Sequence, residues 1–129
     1  MEYALLLALQ WYLVEEGVSI DPVPQVYVIS DKEAHDMFGG SVYGLYVKST
    51  REVYISDSVD LSTPFGVSVI VHELYHHIQN ITAVKHDCLA EYERGPMLAQ
   101  RRYLEHVGAK IHPILSPFNI MSRSTCMEY

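Results

Sequence analysis

At 129 residues, with 49% hydrophobic and 19% charged side chains, the chain is sized for one domain with a substantial core, and its composition excludes a disordered polypeptide. A net charge of −7, with Arg101-Arg102 as the nearest approach to a basic cluster, argues against non-specific nucleic-acid binding. Ten tyrosines against three phenylalanines and one tryptophan predict semi-exposed aromatic surface at sheet and core edges, some of it lining a groove.

The run Ala4-Leu5-Leu6-Leu7-Ala8-Leu9 has no positive flank and no small-residue cleavage site, carries Glu2 before it, and leads into Trp11, Tyr12 and Glu15-Glu16. It reads as an amphipathic first helix closed by Gly17 at the position after the C-cap, and it is too short to span a bilayer. The protein is then either intracellular or exported with its signal removed. Asp21-Pro22-Val23-Pro24 is a loop, Gln25 to Ser30 a strand, and Asp31 to Phe38 a short helix capped by Ser30 or Asp31 and closed by Gly39-Gly40. Two β-prone runs, Val42 to Val47 and Glu52 to Ser56, are joined by Lys48-Ser49-Thr50-Arg51 as a hairpin with a four-residue turn. The expected sheet is small and mainly antiparallel.

Ser62-Thr63-Pro64 then supplies an N-cap with proline at the first helical position. Val67, Ile70, Val71, Leu74 and Ile78 recur at helical spacing, predicting a helix from about Pro64 to Asn80. Round from that apolar face lies His72-Glu73-Leu74-Tyr75-His76. Four residues apart on a helix, the two imidazoles project from one face and can close on a single metal ion. Zinc suits them, since it accepts neutral imidazole and a hydrolytic site keeps three protein ligands plus one open position. Glu73 would stand beside water at that position as general base. The competing reading is a buried helix whose histidines are merely hydrogen-bonded.

A second long helical region, CLAEYERGPMLAQRRYLEHVG, runs from Cys88 to Gly108, and two of its carboxylates compete to be the third ligand. Glu93 shares a stripe with Met97, Gln100, Leu104 and Val107, which is mostly apolar and should face inward, whereas Glu91 lines up with Arg94, Leu98, Arg102 and Glu105 on a solvated face. A carboxylate on an apolar stripe needs a partner to offset desolvation, and a metal or a salt bridge supplies one, so Glu93 is favoured. Gly95-Pro96 complicates the geometry, because proline inside a helix removes a backbone hydrogen bond; the helix would then begin near Pro96 with Glu93 in or just before its first turn. Cys88 and Cys126 are either one disulfide tying the C-terminal tail to this region or two buried thiols.

These residues resemble the zincin superfamily of metallopeptidases, on its glutamate-ligand, gluzincin-like side. More narrowly, they are similar to a group of small bacterial zincin-like proteins without assigned function. The matching positions are His72-Glu73-Leu74-Tyr75-His76-His77-Ile78-Gln79, then Cys88, Glu93, Gln100, Tyr103-Leu104 and Cys126; Pro96 and Met97 depart from that group's Ala-Tyr. The resemblance extends from Gly44-Leu45-Tyr46 to the C-terminus. It implies one Zn²⁺ per chain held by His72, His76 and Glu93, Glu73 as base, and Cys88 paired with Cys126. The implied fold is α+β and zincin-like: an N-terminal helix, a small sheet, the motif helix, and a second long helix carrying the third ligand, all in one domain over residues 1–129. A third histidine ligand of the metzincin kind is excluded, because its position is Thr82 and the glycine position is Gln79; His86 reads as a surface residue.

The function this implies is zinc-dependent cleavage of a peptide or protein substrate, held in extended form along the edge strand Val42 to Val47. Tyr43, Tyr46, Tyr75, His77, Tyr103 and His106 are imaginable oxyanion donors, with His77 a core or supporting residue by default. A repressor-cleaving peptidase of a mobile element ranks lower, as no helix-turn-helix is evident. A degenerate zincin that binds a metal or partner without turnover is opposed by the intact Glu73. A disulfide would imply export to an oxidising location, free thiols a cytoplasmic protein.

Overall fold

In the computed structural model, which describes residues 1–39 and 43–126, the chain is an α+β fold of five helices and a three-stranded mixed sheet. Helix α1 spans Glu2–Glu15, β1 Gln25–Ile29, α2 Asp31–Phe38, β2 Gly44–Val47, β3 Glu52–Ser56, α3 Pro64–Ile81, α4 Arg94–His106 and α5 Pro117–Arg123, with 3₁₀ turns at Leu89–Glu93 and Pro113–Leu115. Val42 and Gly40, expected in the second strand and at the close of the short helix, lie outside the described residues. No described helix is long and apolar enough to cross a membrane.

The sheet order is β1-β3-β2. Strands β2 and β3 form the expected antiparallel hairpin, pairing Leu45 with Tyr54 and Tyr46 with Val53. Strand β1, however, pairs with β3 in parallel, Val26 beside Val53 and Val28 beside Ile55, so the sheet is mixed and not mainly antiparallel. The chain reaches that arrangement by passing through α2 after β1, entering β2 at the far edge and returning through the hairpin to the centre. Helix α2 is fixed by a reciprocal capping box between Ser30 and Glu33 and stops at Gly39 in the left-handed region.

Helix α3 is the central element. Thr63 caps it by accepting from the Gly66 amide, Pro64 stands in its first turn, and Val67, Ile70, Val71 and Leu74 are buried in the core. Helix α1 lies across it, with the Tyr12 hydroxyl donating to the Val71 carbonyl at 2.6 Å and Trp11 edge-on to Tyr103 of α4 at 5.8 Å. Expected to be amphipathic, α1 is apolar on both sides: it buries Ala4, Ala8, Trp11 and Tyr12 and exposes Tyr3, Leu6, Leu13 and Val14.

The expected second long helix is two pieces. Cys88 leads into the 3₁₀ turn Leu89–Glu93, and α4 begins at Arg94. Pro96 therefore occupies the third helical position, where its missing N–H removes no intrahelical bond. Cys88 and Cys126 form a disulfide with Cα atoms 5.9 Å apart, tying the end of α5 to the start of the 3₁₀ turn.

Gly66 shows how closely α3 is seated. A Cβ there would lie 2.1 Å from the Asp60 carbonyl oxygen and 2.8 Å from the Leu61 Cα, both backbone. Alanine normally gains up to about 1 kcal/mol over glycine in a helix. Here overpacking outweighs that gain, and Gly66→Ala should destabilise by about 1–3 kcal/mol. The check is a lower denaturation midpoint at unchanged slope; an unchanged or raised midpoint would contradict this packing.

Candidate metal centre

The two motif histidines project from α3 into an open cleft of about 1400 Å³, whose walls include Tyr43, Phe65, Met97, Tyr92 and Lys48. Their rings lie 5.2 Å apart. The Nε2 atom of His72 is 3.0 Å from Glu93 Oε2, and that of His76 is 3.0 Å from Glu93 Oε1. The fold thus unites His72, His76 and Glu93 at one point, with Glu93 on the last residue of the 3₁₀ turn, as the N-cap of α4, and not within a long helix. Glu91 points elsewhere, to His86 Nδ1 at 3.5 Å.

Both imidazoles are oriented from behind by glutamines. The Gln79 amide nitrogen donates to the Tyr92 carbonyl at 2.9 Å, and a carbonyl can only accept, so Gln79 Oε1 faces His76 Nδ1 at 2.9 Å and must receive its proton. At the other ring, Ser68 donates its hydroxyl to the Phe65 carbonyl at 2.5 Å and accepts from Gln100 Nε2 at 3.1 Å. Gln100 Oε1 is thereby turned to accept from His72 Nδ1 at 2.9 Å. With both Nδ1 atoms protonated, both Nε2 atoms of the neutral rings present lone pairs to a carboxylate. That arrangement requires a cation, either protons on the rings or a metal ion among the three donors.

The donor set fits a zinc-type ion. Tetrahedral coordination with bonds of about 2.0–2.1 Å holds donors about 3.3 Å apart, close to the two 3.0 Å separations seen. Imidazole donors whose Nδ1–H is held by a fixed acceptor are the usual arrangement at such centres.

Glu73 faces the same point. One of its oxygens falls within 4.8 Å of the imidazole nitrogens, but the short contacts belong to Glu93. Glu73 is only 5% exposed, and its Cγ would touch a Cβ at Gly44 at 3.2 Å, so glycine at the start of β2 lets the edge strand lie directly against it. Burial raises the Glu73 carboxyl above its ordinary range; His72 and His76 oppose this and Glu93 adds to it. Burial would raise Glu93 as well, but the hydrogen bonds with His72 and His76 outweigh it and hold that carboxyl well below the ordinary range. For His72, burial lowers the imidazole, and Glu73, Glu93 and the Gln100 hydrogen bond turn the balance upward.

The imagined oxyanion donors separate by environment. The His77 ring is fully buried and satisfied, its Nε2–H donating to the Pro22 carbonyl at 2.7 Å and its Nδ1 accepting from the Tyr46 hydroxyl at 2.8 Å. That commits the Tyr46 proton. Tyr75 lies where a Cβ at Gly95 would stand 2.3 Å from its ring, Tyr103 is in the core beside Trp11, and His106 is near Glu15 at 3.7 Å. Tyr43 lines the cleft, and its hydroxyl makes no hydrogen bond among the described residues. The residues that sequence reasoning left without a role are Gln79 and Gln100; two amides on largely buried helix faces were the available signal.

Residues 10–128 match the family described as "Domain of unknown function (DUF6647)". No curated protein and no solved structure matches the chain.

The opposed shifts give the metal-free protein a defined pH behaviour. Glu93, with its folded value depressed, contributes stability above its unfolded value of about 4.3 that is lost as pH falls. His72, with its folded value raised, contributes stability below its unfolded value of about 6.5 that is lost as pH rises through the raised value. Metal-free Glu93→Gln should therefore be most destabilised, relative to wild type, between about pH 4.5 and 6.5, with the difference shrinking at pH 8. Denaturation at several pH values in a chelator checks this; a deficit that grows toward pH 8 would contradict the assignment.

Proposed function

We propose that this chain, which belongs to the DUF6647 family of domains of unknown function, is a zinc-dependent hydrolase, a metallopeptidase of the zincin type that cleaves peptide bonds. The observation that carries the reading is the convergence of the His72 and His76 Nε2 atoms on Glu93 at 3.0 Å, with buried Glu73 beside them. His72, His76 and Glu93 would hold one Zn²⁺, with Gln100 and Gln79 fixing the two rings. When bound, the ion supplies Lewis acidity, which acidifies a water and polarises a carbonyl.

Glu73 takes the proton of the attacking water and passes it to the leaving amine. Its raised carboxyl suits that exchange, because a base that must later act as an acid works best with a pKa near the operating pH. Strand β2 is an edge of the sheet and runs beside α3, with Gly44 against Glu73 and the Lys48 carbonyl accepting from Asn80 at 3.2 Å. Its free edge can pair with an extended peptide and lead the scissile bond past Glu73. Tyr43, on the same wall, is the oxyanion donor among the tyrosines considered.

Zinc content of identically purified proteins tests the ligand set. One ion per chain is expected in wild type, Glu73→Gln and Glu91→Gln, with loss in His76→Ala and Glu93→Gln. Glu73→Gln should keep its zinc while peptide hydrolysis falls by about 10²–10⁴-fold. Zinc held by wild type with no cleavage across a broad peptide library would favour a metal-binding module over an enzyme, and no zinc at all would sink the reading.

The glutamines give a separate check. Gln100→Leu and Gln79→Leu leave every proposed ligand in place but remove the acceptor from one imidazole, and zinc affinity should drop about 10–100-fold in each. Competition with a chromophoric chelator measures it; unchanged affinity in both variants would show that ring orientation is not set by these amides.

A further inference from the structure

A second donor set stands at the other end of the 3₁₀ turn. The ligand atoms of Cys88, Glu91 and Cys126 lie within 4.8 Å of one another, and Glu91 Oε1 is 3.0 Å from Cys126 Sγ. The other Glu91 oxygen lies 3.5 Å from His86 Nδ1. While Cys88 and Cys126 are bonded to each other, their sulfurs have no thiolate to offer and the group cannot hold a metal. Reduction changes this. We propose that, once the Cys88–Cys126 disulfide is reduced, Cys88, Cys126, Glu91 and His86 form a second, thiolate-rich site for a zinc-type divalent ion, separate from the His72 centre.

Contacts on either side keep the two sulfurs together after their bond opens. His86 is held to the turn by Tyr92, whose hydroxyl donates to the Val84 carbonyl and accepts from the His86 amide, both at 3.2 Å, while the His86 ring packs edge-on against it at 4.7 Å; Cys88 is tied to Glu91, whose amide donates to the Cys88 carbonyl at 3.2 Å. The Cys126 side is held by Arg94, which donates through Nε to the Ser124 hydroxyl at 3.2 Å and through its guanidinium to the Ser124 carbonyl at 2.9 Å. Neither set of bonds involves a cysteine sulfur. Two thiolates on a tetrahedral ion, with Zn–S bonds of about 2.3 Å, stand about 3.8 Å apart. Side-chain rotation reaches that separation from Cα atoms 5.9 Å apart. Glu91 and His86 then complete four donors of the kinds zinc takes. Cys88, Glu91 and Cys126 are half-buried and His86 is exposed, so the group is open to both reductant and metal.

The chemistry balances with a dithiol as reductant. Its two thiols are oxidised to a disulfide, the Cys88–Cys126 bond is reduced to two thiols, and the ion displaces one proton from each thiol to solvent on binding. The C-terminal segment is thus tied to the 3₁₀ turn by a covalent bond when oxidised and by a metal when reduced.

Cobalt(II) is the probe, because a sulfur-to-cobalt charge-transfer band reports thiolate ligation and the His72 centre contains no sulfur. Full-length wild type and His76→Ala are reduced with dithiothreitol, freed of it without air, and titrated with Co²⁺ alongside oxidised samples. The band is expected in both reduced proteins, at one Co²⁺ per chain in His76→Ala, and in neither oxidised one. Cys126→Ser should lose it. His86→Ala and Glu91→Gln keep both cysteines and still form the disulfide, and when reduced should bind Co²⁺ at least about tenfold more weakly. Absence of the band in reduced wild type and His76→Ala would overturn the proposal. So would a band of undiminished affinity in both His86→Ala and Glu91→Gln. A reduced wild-type chain that loses its circular dichroism and takes no cobalt would overturn it equally, since the clasps at Tyr92 and Arg94 would then not hold the thiols together. Because the readout is specific for sulfur, these outcomes are independent of whether the His72 centre binds zinc.

Discussion

Two imidazole lone pairs turned toward a single carboxylate form the constraint on which the rest of the site depends. The Nδ1–H groups of His72 and His76 are committed to Gln100 and Gln79, and each glutamine is locked by a partner that can accept but not donate in that direction. Turning a ring to relieve the clash with Glu93 would leave a partly buried donor or acceptor unsatisfied, at about 1–3 kcal/mol for each group lost. Relief comes more cheaply from a cation between the three groups. The polar network is thus built for a positive charge, and a proton or a metal ion can supply it.

That network is only as exact as the helix that carries it, and α3 is held at three close approaches where glycine is the neighbour. Gly66 meets the Asp60–Leu61 backbone at the helix start, Gly44 brings the edge strand against Glu73 in the middle, and Gly95 admits the Tyr75 ring where α4 begins. At each, a Cβ would fall at 3.2 Å or less from the facing atoms. The sheet contributes little bulk, but its central strand β3 buries Val53 and Ile55 beneath α3, and the hairpin fixes where β2 lies along the cleft. His77, next to the second motif histidine, anchors the same helix to the Asp21-Pro22 loop and to Tyr46.

Much of this was legible in the sequence, for identifiable reasons. Elements with local signals announce themselves: the Thr63-Pro64 start of α3, the hairpin, and α2 with its cap at Ser30 or Asp31 were readable from local chemistry, while the reciprocal bond from Glu33 that settles the cap on Ser30 came from the structure. The inward placement of Glu93 was also expected, through the rule that a carboxylate on an apolar stripe needs a partner, and its oxygens do meet the two histidines, although the stripe belongs to a helix that begins one residue later. Pro96 carried the signal for that break. The parallel pairing of β1 with β3 was not legible, because a five-residue strand says nothing about its partner, and the hairpin made an antiparallel sheet the natural expectation. Helix α5 went unread even though Ser116-Pro117 repeats the cap-then-proline signature that located α3. The glutamines escaped because their role lies in the direction of one amide oxygen, and that direction is set by Tyr92 and Ser68, residues distant from them in sequence.

The three acidic residues near the cleft show how environment divides labour among identical side chains. Glu91 is turned away and engaged by His86 and the disulfide region. Glu93 and Glu73 face the same histidines, but their carboxyls are pushed in opposite directions, Glu93 down by direct hydrogen bonds from the rings and Glu73 up by burial without such bonds. Neighbouring titratable groups driven apart in this way take different parts in acid–base chemistry. A carboxylate held down by hydrogen bonds from the rings stays ionised as their counter-charge, whereas one raised by burial takes up a proton more readily. The difference comes from one structural fact. Glu93 sits at the end of a short 3₁₀ turn and presents both its oxygens to the rings, whereas Glu73 follows His72 on the helix itself, buried against Gly44, with an oxygen within 4.8 Å of the imidazole nitrogens but without the hydrogen bonds that Glu93 receives.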